Sequence, residues 1–154
     1  MPRVDEADRF LEHHAGAIYR ALTDAEALEA WLPPADMTGQ IEGYQPVVGT
    51  GFRMVLTYRD KARRGKTSDA SDAVEQTIVE LTPDRRVVWA VDFDSADPAY
   101  AGVMTMTWTI VERDGGCLLR VAATDVPSGI SPDDHRVGMT SSLANLAAYL
   151  GATA

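Results

Sequence analysis

The stretch from Ser131 to Leu150 reads Ser-Pro-Asp-Asp-His-Arg-Val-Gly-Met-Thr-Ser-Ser-Leu-Ala-Asn-Leu-Ala-Ala-Tyr-Leu, and it narrows the possible folds more than any other part of the chain. Ser131 is a good N-cap, Pro132 suits the first helical position, and Asp133 and Asp134 set negative charge against the positive end of the helix dipole. At roughly 100° per residue, His135, Met139, Leu143, Leu146 and Leu150 fall within an arc of about 80°, a stripe that has to be covered by another layer. Gly151 is read as the stop. About 20 residues make a rod of about 30 Å, long enough to lie across a small domain.

The remaining sequence supplies the surface for that rod. Asp8 to Glu12 reads as a first strand. Ala17 to Leu22 and Asp24 to Leu32 read as two short helices, capped at Thr23 or Asp24 and ended by Pro33-Pro34, with Ile18, Leu22, Leu28 and Trp31 turned inward. From Met37 onward strand signals take over: 37–45, 52–59, 73–81, 86–94, 103–112 and 117–124, separated by turn residues at 46–51, Thr82-Pro83-Asp84, 95–102 and Asp114-Gly115-Gly116. A polar excursion, Asp60 to Asp72, reads as a long loop. Phe52, Met54, Leu56 and Tyr58 share one strand face. So do Val87, Trp89, Val91 and Phe93, and likewise Met104, Met106, Trp108 and Ile110, while Thr105, Thr107 and Thr109 face the other way. A sheet with one apolar face, followed by one long amphipathic helix, predicts an α+β fold: a curved antiparallel sheet wrapped around the C-terminal helix, with two short helices after the first strand. The expectation is one domain spanning residues 1–154.

Charge and cysteine content bound the partners. A net charge of −9 disfavours nucleic acid and anionic membrane surfaces, which attract proteins rich in Lys and Arg. The single cysteine, Cys117, rules out a disulfide framework and points to a reducing, cytoplasmic setting. No apolar run is long enough to span a bilayer, and Met1 to Arg9 is too polar for a signal peptide.

Five segments can be set beside a known pattern: Ala21-Leu22-Thr23-Asp24-Ala25-Glu26-Ala27-Leu28-Glu29-Ala30-Trp31-Leu32-Pro33, Gly51-Phe52-Arg53-Met54, Glu80-Leu81-Thr82-Pro83-Asp84-Arg85-Arg86-Val87-Val88, Asp114-Gly115-Gly116 and Ser142-Leu143-Ala144-Asn145-Leu146. In them the chain resembles the activator-of-Hsp90-ATPase-homologue-like branch of the START/Bet v 1-like (SRPBCC) superfamily. The resemblance implies the helix-grip fold, with a cavity between sheet and long helix that in relatives holds an apolar or aromatic small molecule. It implies no shared catalytic motif: some relatives cyclise or dehydrate polyketides, some carry ligands, and the namesake activates a chaperone ATPase. Where many relatives place tryptophan after the glycine of the last helix, Gly138 is followed here by Met139.

On this reading the ligand-binding candidates are Trp31, Phe52, Met54, Tyr58, Gln76, Trp89, Phe93, Met104, Met106, Trp108, His135, Met139, Ser142 and Leu143, an aromatic and thioether lining with a few polar groups. The bland alternative is that these side chains fill one another's gaps. His135, in the first turn of the terminal helix, is the candidate acid or base, with Tyr58 as its partner in an enzyme reading. The scarcity of inward carboxylates favours binding over acid–base chemistry, Asp92 being expected to point outward. No metal site is expected, because His13 and His14 are adjacent and no Cys or acidic cluster completes a set with His135. Gly65-Lys66-Thr67-Ser68 lacks the earlier glycine of a phosphate-binding loop, and Arg63, Arg64 and Lys66 read as solvated. No cofactor is implied. Val137, Ala144 and Ala148, opposite the apolar stripe, offer a face for a homodimer.

Overall fold

In a computed structural model, the described residues are 3–33, 37–58, 71–93 and 102–153. The order along the chain is β1 (Val4–Leu11), α1 (Ala15–Leu22), α2 (Ala25–Trp31), β2 (Met37–Glu42), β3 (Gly51–Tyr58), β4 (Ser71–Thr82), β5 (Arg86–Phe93), β6 (Val103–Arg113), β7 (Gly116–Thr124) and α3 (Pro132–Thr153). The strands form one antiparallel sheet, ordered β1-β7-β6-β5-β4-β3-β2. Strands β2 to β7 form a meander, and β1 closes it by pairing with β7. The sheet curls as a half-barrel around α3, which makes this the α+β helix-grip fold expected from the sequence.

Register explains where the core sits. Ile78, Trp89, Met106, Ala123 and Asp5 are successive partners across β4, β5, β6, β7 and β1. Phe52, Gln76, Val91 and Met104 form the next row across β3 to β6. Side chains alternate along each strand, so these rows share the concave face. A bulge between Ile78 and Glu80 adds one residue to β4 and leaves Val79 exposed, so that Ile78 and Leu81 both pair with inward positions of β5.

Helix α3 lays Met139, Leu143, Leu146 and Leu150 into this face, all buried. Its start is capped as expected: Asp134 N–H donates to Ser131 Oγ at 3.0 Å, and His135 N–H to the Ser131 carbonyl at 2.9 Å. Asp24 caps α2 by accepting from Ala27 N–H at 3.0 Å. Two further bonds tie the C-terminal end of α2 to α3, Ser142 Oγ to the Leu32 carbonyl at 3.1 Å and Asn145 Nδ2 to the Pro33 carbonyl at 3.0 Å. Val137 lies on the outer side, 69% exposed.

Several boundaries differ from expectation. Strand β1 begins at Val4 rather than Asp8, because its ladder to β7 runs from Val4–Thr124 to Leu11–Cys117. Helix α1 begins at Ala15, with His14 in the N-cap position. Strand β4 takes in Ser71 and Asp72, which the polarity of the sequence assigns to a loop. Strand β2 ends at Glu42, where Gly43 at φ 74 breaks the extended path. Helix α3 continues through Gly151 to Thr153. The sequence features at 59–70 and 94–101, including Gly65-Lys66-Thr67-Ser68, lie outside the described residues.

Candidate functional site

The concave face carries a run of five aromatic rings. Tyr44, in the turn after β2, meets Phe52 edge to face at a centroid distance of 5.1 Å, and Phe52 meets Trp89 at 6.0 Å. Trp89 meets Trp108 at 5.6 Å, and Trp108 meets Trp31 of α2 at 5.4 Å, again edge to face. Edge-to-face pairs align ring quadrupoles and are worth about 0.5–1.5 kcal/mol each beyond area burial. The run therefore crosses the sheet from β3 to β6 and reaches α2. Met54, Met104, Met139 and Leu143 are buried beside or above it, and Met106 is half-buried.

These rings are well packed but incompletely hydrogen-bonded. Trp31 Nε1 donates to the Ala21 carbonyl at 2.9 Å. By contrast, Trp89 Nε1, Trp108 Nε1, the Tyr44 hydroxyl and Gln76 Oε1 are buried without a partner among the described residues. Each such group costs about 1–3 kcal/mol. Burial pushes the Tyr44 phenol up to about 12, with the charges of Tyr19 and Asp24 adding to the effect.

The other polar constellation lies where α3 begins. Asp5 is on the inward side of β1 with its side chain 4% exposed. The Arg3 guanidinium grips it, Nε donating to Oδ1 at 2.9 Å and Nη2 to Oδ2 at 2.7 Å, while Nη2 also donates to the Ile130 carbonyl at 2.6 Å. The His135 ring, 13% exposed, places Nδ1 2.7 Å from Asp5 Oδ2. The Arg3 hydrogen bonds hold the Asp5 carboxyl below the usual aspartate range; burial opposes this and His135 reinforces it. An ionised carboxylate only accepts, so His135 Nδ1 carries the hydrogen of this bond.

The structure thus joins Trp31, Phe52, Trp89 and Trp108 in one contact run and buries Gln76 and the methionines along it. The Ser142 hydroxyl is spent on the Leu32 carbonyl, and His135 is bound to Asp5 at the β1 edge of the sheet. The side chains of Tyr58 and Phe93 lie outside the described residues. Sequence reasoning missed Tyr44, because Gly43 reverses the alternation that would have turned it outward. It also missed Arg3 and Asp5, whose partner stands 130 residues away.

Three surface clefts can be described, and none is lined by the ligand-binding candidates named from the sequence. One of about 750 Å³ lies between the α1 entrance (Glu12, His13, His14) and the β6–β7 hairpin. A second of about 740 Å³ surrounds the β4–β5 turn, and a third of about 380 Å³ runs between α1, α2 and Tyr149. No described helix is long and apolar enough to cross a membrane.

A half-barrel sheet closed on a long C-terminal helix defines the helix-grip class. Within it, the sequence model of the family described as activator of Hsp90 ATPase homolog 1-like protein matches residues 12–151, and the chain belongs to that family. A crystal structure of a Chromobacterium violaceum protein is similar at 27% identity and a TM-score of 0.86, over 97% of this chain and 98% of that one. The solution structure of an AHSA1-like protein from Aeromonas hydrophila superposes with a TM-score of 0.76 at 16% identity, covering 98% and 94% of the two chains. A protein in the dynemicin biosynthetic locus shares the fold with a TM-score of 0.70 at 15% identity, over 96% of this chain and 47% of its own. No functionally curated protein matches the sequence.

Proposed function

We propose that the protein binds a small apolar or aromatic molecule between the concave face of the sheet and α3. The observation that carries this reading is the run of rings from Tyr44 through Phe52, Trp89 and Trp108 to Trp31, bordered by Met54, Met104, Met106 and Met139. Thioether side chains have three rotatable bonds and repack at little cost. A guest enters such an interior by displacing methionine side chains while the tryptophans, held by their edge-to-face and tilted ring contacts, stay in place. Membership of a family whose fold commonly encloses hydrophobic ligands supports the same reading.

Acid–base catalysis finds one supporting contact, the Asp5 carboxylate orienting the His135 ring, but the group that joins this pair is the Arg3 guanidinium, which donates to Asp5 and to the Ile130 carbonyl and supplies neither a nucleophile nor a base. Binding is therefore the better-supported function.

A thermal-shift panel of aromatic and long-chain acyl compounds tests it. A ligand present at 100 times its Kd adds about 2.7 kcal/mol to stability, which for a chain of this size raises Tm by roughly 5–11 °C. Such a rise with at least one compound class is expected. A flat response across the panel, confirmed by native mass spectrometry, would refute binding.

A further inference from the structure

The interior assigned to the ligand holds two unpaired donors side by side. Trp89 and Trp108 each bury an indole N–H with no acceptor among the described residues, whereas the N–H of Trp31 is satisfied by Ala21. An indole N–H can only donate. A buried donor without an acceptor is costly, and in native proteins such groups call for an explanation. The Tyr44 hydroxyl adds a third unpaired group at the other end of the ring run. Gln76, the register partner of Phe52, leaves an amide oxygen unpaired, and its amide can be turned either way, while the Tyr44 hydroxyl can both donate and accept.

Among the described residues no charged side chain stands beside these groups. The inward positions around them are Phe52, Ile78, Val91, Met104 and Met106, none of them ionisable. Asp5, on the same face at the β1 edge, is already held by Arg3 and His135. Among the described residues an anionic ligand would find no unengaged cation there, and burying an unpaired charge is far costlier than burying a neutral dipole.

We infer that the ligand is a neutral, flat aromatic carbonyl compound whose carbonyl oxygen accepts hydrogen bonds from the Trp89 and Trp108 indole N–H groups while its rings lie along the aromatic run. This rests on the interior being the binding site. The carbonyl oxygen has two lone pairs to offer, and the two indoles are adjacent, 5.6 Å between centroids.

The test uses three probes on one ring skeleton, 9-fluorenone, fluorene and fluorene-9-carboxylate, titrated into the full-length protein by calorimetry. In parallel, the three indole N–H resonances are followed in ¹⁵N-labelled protein. Fluorenone is expected to bind roughly tenfold tighter than fluorene, the worth of about one net hydrogen bond, and the carboxylate weakest of all. The Trp89 and Trp108 N–H signals should move downfield with fluorenone while Trp31, committed to Ala21, stays in place. Trp108→Phe should bring fluorenone and fluorene to equal affinity, whatever it does to both; if that variant does not fold, the indole shifts of the unaltered protein decide the same point. Equal affinity for fluorenone and fluorene with unmoved indole signals overturns the carbonyl assignment and leaves an apolar site standing, and tightest binding by the carboxylate also overturns it. Binding of none of the three overturns this inference, and the thermal-shift panel then decides whether the interior binds anything.

Discussion

Asp5 shows how one side chain can fasten distant parts of the chain together. It lies on the inward side of an edge strand, where an apolar residue would be usual, and its carboxylate joins β1 to the first turn of α3 through His135. Through Arg3 it also holds the Ile130 carbonyl just before that helix. Its folded pKa lies below the ordinary value, so the folded state resists protonation at this site. The stabilisation is fully present above about pH 4 and is lost as pH falls through the lower folded value. Asp5→Asn should therefore lower Tm by several degrees at pH 7, and the gap from the parent protein should close as the pH is taken towards 2. A constant gap across that range, read by circular dichroism melts, would show that the carboxylate charge is not what matters. A residue-level reading of the sequence could not see this contact. Asp5 counts as polar in any hydropathy pattern, which hid both the start of β1 and the partner of His135.

At the scale of elements, two glycines have opposite roles. Gly116 opens β7 opposite Leu11 and Glu12, and a Cβ there would collide with the Leu11 carbonyl. Gly138 sits inside α3 with nothing near the position a Cβ would take. Gly138→Ala should stabilise the protein by about 0.5–1 kcal/mol through helix propensity and the unfolded chain's lost freedom. Gly116→Ala should destabilise it, because main chain cannot move aside as a side chain can. Chemical denaturation of the two variants checks both signs. The long helix itself was legible: a cap, a proline, two aspartates and a stripe at helical spacing are all local. Its C-terminal boundary was not, since Gly151 continues the helix where a stop was expected, and only the structure reveals that. Strand faces were legible for the same local reason, and the turn of Tyr44 was not, because one positive-φ glycine breaks the alternation on which face assignments rest.

For the whole molecule, the decisive feature is how a curled sheet and a straight helix share their interior. Register places the aromatic rows on the concave face, the two polar ties from Ser142 and Asn145 fix α3 against the end of α2, and the apolar stripe of α3 covers what remains. The fold class could be read from the sequence because it follows from element order and one-sided patterning. The detail of the interior could not, because ring contacts and unpaired N–H groups depend on packing between strands far apart in sequence. Methyl resonances of ¹³C-labelled methionine offer the most direct view of that interior, since Met104 and Met139 belong to its core, Met106 packs against it and Met54 is buried on the same strand face as Phe52. On titration with a compound that raises Tm, the Met54, Met104, Met106 and Met139 methyl signals should shift while Met1 does not. Unmoved methionine signals at saturation, although the compound raises Tm, would contradict binding between sheet and helix.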